Sequence, residues 1–317
     1  MKPHPPRSEP GTSTHPWRAV SWLLSAGTLA LAAWLLHRYL GDLRWRDVTA
    51  SLAQMPRTRI AMALAATATS LAMLATFDVL ATRSALPGRV PVALAAFAGA
   101  LAHAISNTLG FHAVTANATR YRIYATVGLG VGDVARIASL ASLGVGFGYA
   151  VLGVIGLCLE PSFAHGWGRL AGAALLALLV LLLAWLARQP RTLRLRGWTL
   201  ALPGASMAST QLLVGGIEMS AAIGAMYVLL PPSVAPGFVD FVPIYLAAVL
   251  AGIVSHAPGG LGIFEAILLS GFPSGDRAEV LAALLCYRVI YYLVPFVLGI
   301  GALAAFEAHR RLAAGTD

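Results

Sequence analysis

The chain has 317 residues, of which 58% are hydrophobic and only 11% charged, and its mean hydropathy is +0.75. A water-soluble fold of this size exposes far more charge, so the composition excludes an ordinary soluble protein and indicates a polytopic membrane protein. The formal charge of +9 comes almost wholly from arginine, with Lys2 the one lysine. These arginines are scattered between apolar spans, which argues against a nucleic-acid surface and for anionic lipid as a neighbour.

Residues 1–16 are polar and rich in Pro and Ser, the composition of a disordered tail. The apolar run 17–40 follows Lys2 and Arg7, but it is too long for a cleaved signal core and reads as a first transmembrane helix. Further spans fall near 60–82, 91–111, 134–158, 168–187, 205–230, 241–257 and 278–306, which makes about eight helices in an all-α fold. A single transmembrane domain, 17–310, and a short tail, 311–317, complete the division. Arg188, Arg191, Arg194 and Arg196 mark a connection that skirts the membrane surface. The basic clusters slightly favour an external N-terminus without settling orientation. Cys158 and Cys286 lie in separate apolar segments, and no metal-binding spacing, phosphate loop or nucleophile elbow is visible. No cofactor is expected.

Two stretches break the helical pattern. The first runs His103-Ala104-Ile105-Ser106-Asn107-Thr108-Leu109-Gly110 and is followed by Arg120-Tyr121-Arg122. In the second, Pro258 lacks an amide proton and Gly259, Gly260 and Gly262 follow it, so an ordinary helix cannot continue. A restart near Leu261 would leave loose amides close to Gly259 and Gly260. Broken backbone at membrane depth needs cover by protein or water, so these are candidate re-entrant segments and binding sites; a tight surface loop is the alternative. Gly128, Gly132, Asp133 and Ala135 match Gly271, Gly275, Asp276 and Ala278 at one constant offset, and Asp78 matches Glu218 at nearly the same one. The pattern suggests an internal duplication with halves 60–158 and 205–306.

Charges inside apolar spans mark the candidate site. Glu218 lies mid-span, on one helical face with Gln211 and Gly215. Asp78 is nearer a span end, where pairing with Arg83 is the plainer alternative. Glu265 follows the second break. Arg288, Tyr291, Tyr292 and Pro295 share a face, although Arg288 could also snorkel. His103, His112 and His256 are more often structural than ligands.

Phe77-Asp78-Val79, the stretch from Ser106 to Gly110, Arg120-Tyr121-Arg122, Ile217-Glu218, Pro258-Gly259-Gly260-Leu261-Gly262-Ile263-Phe264-Glu265 and Tyr287-Arg288-Val289-Ile290-Tyr291-Tyr292-Leu293-Val294-Pro295 occur here in order. In this the chain resembles the lysylphosphatidylglycerol synthase transmembrane region, the flippase-like N-terminal half of the multiple peptide resistance factor, over roughly 17–310. The resemblance implies a bacterial inner-membrane protein with both termini cytoplasmic that binds a phospholipid or related lipid and moves it between leaflets. It implies no aminoacyltransferase activity, because the chain ends at Asp317 without the soluble synthase domain of fused relatives. The lipid could be an anionic or aminoacylated phospholipid, a hopanoid or a polyprenyl-linked lipid, and a separate lipid-synthesis enzyme is an expected partner; nucleic acid is not. Arg120 and Arg122, with Arg288, are expected at a phosphate, and Asp78, Glu218 and Glu265 at an amine. Asn107, Pro258, Gly259, Gly260 and Tyr291 complete the expected site. A small-solute secondary transporter and a non-transporting scaffold for a lipid synthase are the alternatives, and an intramembrane enzyme is the least supported.

Overall fold

The computed structural model describes residues 45–110, 112–159, 167–188, 192–195, 198–255, 257–272 and 277–314. The expected tail 1–16 and first span 17–40 lie outside these, as do His256, Gly275 and Asp276. A short helix α1 (Trp45–Ala53) buries Val48 and leads past Pro56 into the long α2 (Arg57–Ala85). Pro91 opens α3 (Val92–Leu109), a position where the missing amide costs nothing. Gly110, at φ 74, then turns the chain sharply into α4 (His112–Tyr124). α4 runs back along α3: His112 Nδ1 lies 3.0 Å from Ser106 Oγ, and Arg120 Nη2 lies 3.2 Å from His103 Nε2. The first broken stretch is therefore a helical hairpin with Gly110 at its tip. The long α5 (Val131–Leu159) and α6 (Trp167–Arg188) follow.

A two-stranded antiparallel hairpin, β1 (Thr192–Leu195) and β2 (Trp198–Ala201), occupies the arginine-rich connection and sets Leu195 opposite Trp198. It is a small addition to an otherwise helical body. α7 (Ala205–Tyr227) is central, packed between α2 and α5. α8 (Phe238–Ser255) leads to a tight turn at Pro258–Gly260, after which α9 (Ile263–Ser270) runs back along α8, with Phe272 6.2 Å from Phe241 between ring centroids. The second broken stretch is thus also a hairpin, and α9 restarts at Ile263 rather than at Leu261. α10 (Arg277–Tyr287) passes through a wide π turn, Arg288–Leu293, into α11 (Val294–Ala314). Pro295 has no amide to give to the carbonyl one turn earlier, and the wide turn accommodates that loss. α11 carries the helix beyond residue 311, where a tail is expected.

The order long helix, hairpin, long helix occurs twice along the chain. Two buried clusters cross that division: Phe77, Leu101, Ile123 and Ile137 pack with Val214 of α7, and Ile223, Phe241, Leu268 and Leu284 belong to a cluster that includes Ala63 of α2 and Leu152 of α5. Among the described residues, six helices are long and apolar enough to cross a membrane, fewer than the expected eight. α7 is not one of them despite its 23 residues, because Gln211, Glu218 and a run of small and hydroxyl residues lower its hydropathy. It owes its place to packing. A Cβ on Gly148 would lie 2.6 Å from the Gly215 carbonyl oxygen, so α5 and α7 touch backbone to backbone. By contrast, α6 exposes Leu178, Val180 and Leu181, an apolar face suited to lipid.

Candidate functional site

The two hairpin tips meet in the interior against the π turn. The Thr108 hydroxyl donates to the Tyr292 carbonyl at 3.1 Å, and a Cβ placed on Gly259 would lie 3.4 Å from the Thr108 carbonyl oxygen. Gly259 and Gly260 have φ of 57° and 64°, a left-handed conformation that side chains rarely tolerate. A cavity of about 500 Å³ lies beside the tips, and His103, Asn107, Tyr149, Glu218, Tyr291 and Tyr292 are among the residues that line it. Val114 and Ile253 also border it, and they are 69% and 48% exposed, so its rim is apolar; its walls too are mostly apolar, interrupted by these few polar side chains.

The three interior acids meet different partners. Asp78 is fully buried and takes a two-pronged bond from Arg120, Nε to Oδ1 at 2.8 Å and Nη2 to Oδ2 at 2.7 Å. The Tyr124 hydroxyl adds a third donor at 3.1 Å. Gly99 makes room for this carboxylate, since a Cβ there would lie 2.7 Å from the Asp78 Cβ. The alternative pairing of Asp78 with Arg83 is overturned.

Glu265 accepts from Arg288 Nε at 2.6 Å and from the Gly262 amide at 2.8 Å. The amide expected to be loose at this helix start is therefore occupied by the protein's own carboxylate. Arg288 also donates through Nη1 to the Gly259 carbonyl. Its guanidinium lies over the rings of Phe264 and Tyr292, at 5.0 and 4.6 Å from their centroids. Arg288 does not snorkel; it ties the second tip to the π turn, with Nη2 left unbonded.

Glu218 differs from both. It is 3% exposed, and its Oε1 accepts from Ser70 Oγ at 2.8 Å, which in turn lies 2.8 Å from the Tyr291 hydroxyl. None of the ion pairs among the described residues includes it.

Of the expected site residues, Asn107, Gly259, Gly260, Glu218 and Tyr291 line the cavity, and Pro258 begins the turn beside it. Asp78, Arg120, Glu265 and Arg288 stand behind its wall as two neutralised pairs. Arg122 lies apart: its side chain is 55% exposed and bonds Glu307 on α11 at 2.6 Å. It points away from the interior, so the expected phosphate contact there is not its position. Ser70, Tyr149 and Tyr245 were not singled out in the sequence. Their one visible signal is a hydroxyl in the middle of an apolar span, which must find a partner when buried. Among the described residues, no group of three His, Cys, Asp or Glu side chains could hold a metal ion.

Fold and site together define a polytopic helical membrane protein with a largely apolar interior chamber, set with a few polar side chains, at the meeting of two broken hairpins. Searched against known proteins, the chain is 31% identical over 286 residues to the uncharacterised protein slr0712 of Synechocystis sp., covering 87% of each. The chain belongs to the family of that protein. It is also 31% identical over 192 residues to the inner membrane protein YbhN of Escherichia coli, covering 57% of this chain and 59% of YbhN. Over 72 residues it is 42% identical to the phosphatidylglycerol lysyltransferase of Staphylococcus aureus, covering 22% of this chain and 8% of that protein. No family model matches the chain.

Proposed function

We propose that this protein binds a lipid headgroup in the interior chamber and carries it between leaflets, as the flippase-like transmembrane region it resembles is understood to do. The observation that carries the reading is a chamber of about 500 Å³ that joins a buried acid, Glu218, which has no ion-pair partner among the described residues, to an apolar rim at Val114 and Ile253. A headgroup would sit at the polar side chains around Glu218 while the acyl chains stay against the apolar walls and rim. The similarity to a phosphatidylglycerol lysyltransferase supports a phospholipid as cargo. On this reading the protein sits in a bacterial inner membrane with both termini cytoplasmic, transfers no aminoacyl group itself, and works beside a separate enzyme that makes or modifies the lipid. On the same reading, the halves 60–158 and 205–306 are copies that tilt against each other to open the chamber to either leaflet.

The neutralised pairs revise the roles of the arginines. Arg120 and Arg288 hold hairpins in place, and Glu218 is the group that meets the cargo. In proteoliposomes, Glu218→Gln should insert normally, because a neutral amide is easier to bury, yet transfer of a fluorescent phospholipid should fall to the rate of protein-free vesicles. Unchanged transfer by this variant removes Glu218 from the mechanism.

A further inference from the structure

Among the described residues, Glu218 meets hydroxyls: Ser70 of α2 bonds it directly, Tyr291 of the π turn bonds Ser70 in turn, and Tyr149 of α5, Tyr245 of α8 and Tyr292 of the π turn line the same chamber. α6 carries no titratable side chain between Arg169 and Arg188. The nearest full charges are already balanced, Asp78 by Arg120 and Glu265 by Arg288, and His103 and His112 line the other side of the chamber. A bare carboxylate at this depth is costly, so something positive must accompany it. Hydroxyls cannot supply that charge; they can only solvate whatever does. Tyrosine rings beside a carboxylate also form a good environment for an ammonium group, which the ring faces attract.

We infer that Glu218 holds a proton while the chamber is empty and gives it up when an alkylammonium group binds there. The step balances: the neutral Glu218 carboxylic acid and an incoming alkylammonium ion become a Glu218 carboxylate paired with that same ion, and the carboxyl proton leaves to water. Counted over the carboxyl and ammonium groups alone, the loaded chamber carries the same charge as the empty, protonated one. The phosphate of a zwitterionic lipid adds one negative charge, so only a lipid with one more ammonium than phosphate crosses without net charge. The exchange makes loading sensitive to a proton gradient: the side with fewer protons favours loading, and the side with more favours release. It also fits the lack of an arginine partner for Glu218 among the described residues, because a permanent cation would shut out both the proton and the amine. This inference rests on the cargo reading above and names the charged group of that cargo.

The test uses the full chain in lipid nanodiscs, with infrared difference spectroscopy of the protonated-carboxyl stretch and a pH-indicator dye in weak buffer. At neutral pH the resting protein should show a protonated-carboxyl band that Glu218→Gln lacks. Should that variant fold poorly, Ser70→Ala provides a second assignment, since losing its hydrogen bond should shift the band. Adding dihexanoyl phosphatidylethanolamine should remove the band and release one proton per lipid bound, while dihexanoyl phosphatidylglycerol should leave it in place. Binding of the amine lipid should weaken about tenfold for each unit fall in pH, as expected when one proton is displaced. A resting protein without the band, or amine binding that leaves the band unchanged, overturns the exchange. Removal of the band by free ethanolamine but by neither lipid would keep the exchange and defeat the lipid reading. Transfer of phosphatidylglycerol with no response to any amine would do the opposite.

Discussion

Three acids buried in one helical body illustrate how surroundings decide a residue's role. Asp78 has Arg120 and Tyr124, Glu265 has Arg288 and a helix-start amide, and Glu218, among the described residues, has a hydroxyl. Removing one member of a closed pair strands the other, which typically costs about 3–5 kcal/mol when both are buried. Asp78→Asn should therefore lower the unfolding temperature in detergent substantially. Asp78→Leu with Arg120→Met, apolar and similar in bulk, should recover most of that loss. Equal losses in the single and double variants would show that the pair itself is not what stabilises the fold. Arg122 and Glu307 provide the contrast: the Arg122 side chain is 55% exposed, and water screens such a pair, so Arg122→Ala should be close to neutral in the same assay.

At the scale of elements, α5 and α7 touch backbone to backbone. Gly148 faces the Gly215 carbonyl, and backbone on both sides cannot move aside as a flexible side chain could. Gly148→Ala should force the helices apart and cost about 1–3 kcal/mol, the usual range for overpacking. Gly146→Ala, on the same helix with nothing within 4 Å of the new carbon, should instead be neutral or stabilising by up to about 1 kcal/mol. Thermal unfolding of the two variants side by side checks the contact, and similar behaviour would contradict it. The elements themselves were largely legible in the sequence. Hydrophobic length marks the spans within a few residues, and Pro258 with its glycines marks the second hairpin tip because few other residues fit such backbone. The partners were not legible. Arg120 is 42 residues from Asp78, and Tyr291 is 221 from Ser70. Such pairs form only after hairpins fold back, and no local periodicity encodes them. The plausible local partner fails for a helical reason: Arg83, five positions after Asp78, is rotated about 140° away around α2.

For the molecule as a whole, the two hairpin tips meet at one wide turn, and a single arginine of that turn ties the second tip to it. Arg288 reaches Glu265 with one nitrogen and the Gly259 carbonyl with another, while the π turn that carries it offers the Tyr292 carbonyl to Thr108 of the first tip. Loosening either tip therefore acts on the other through the same six-residue turn, Arg288–Leu293. Lysine retains the charge but not the planar fork, so it can pair with Glu265 without also holding Gly259, and it stacks less well on Phe264 and Tyr292. Arg288→Lys should then insert and fold, with faster amide hydrogen exchange at residues 257–262 and also at 107–110, although no first-hairpin residue has been changed. Exchange elsewhere in α2 and α5 should stay near wild type, which separates coupled tips from general destabilisation. Faster exchange confined to 257–262 would mean that the hairpins move independently, and the chamber would then have to open by the motion of one half alone.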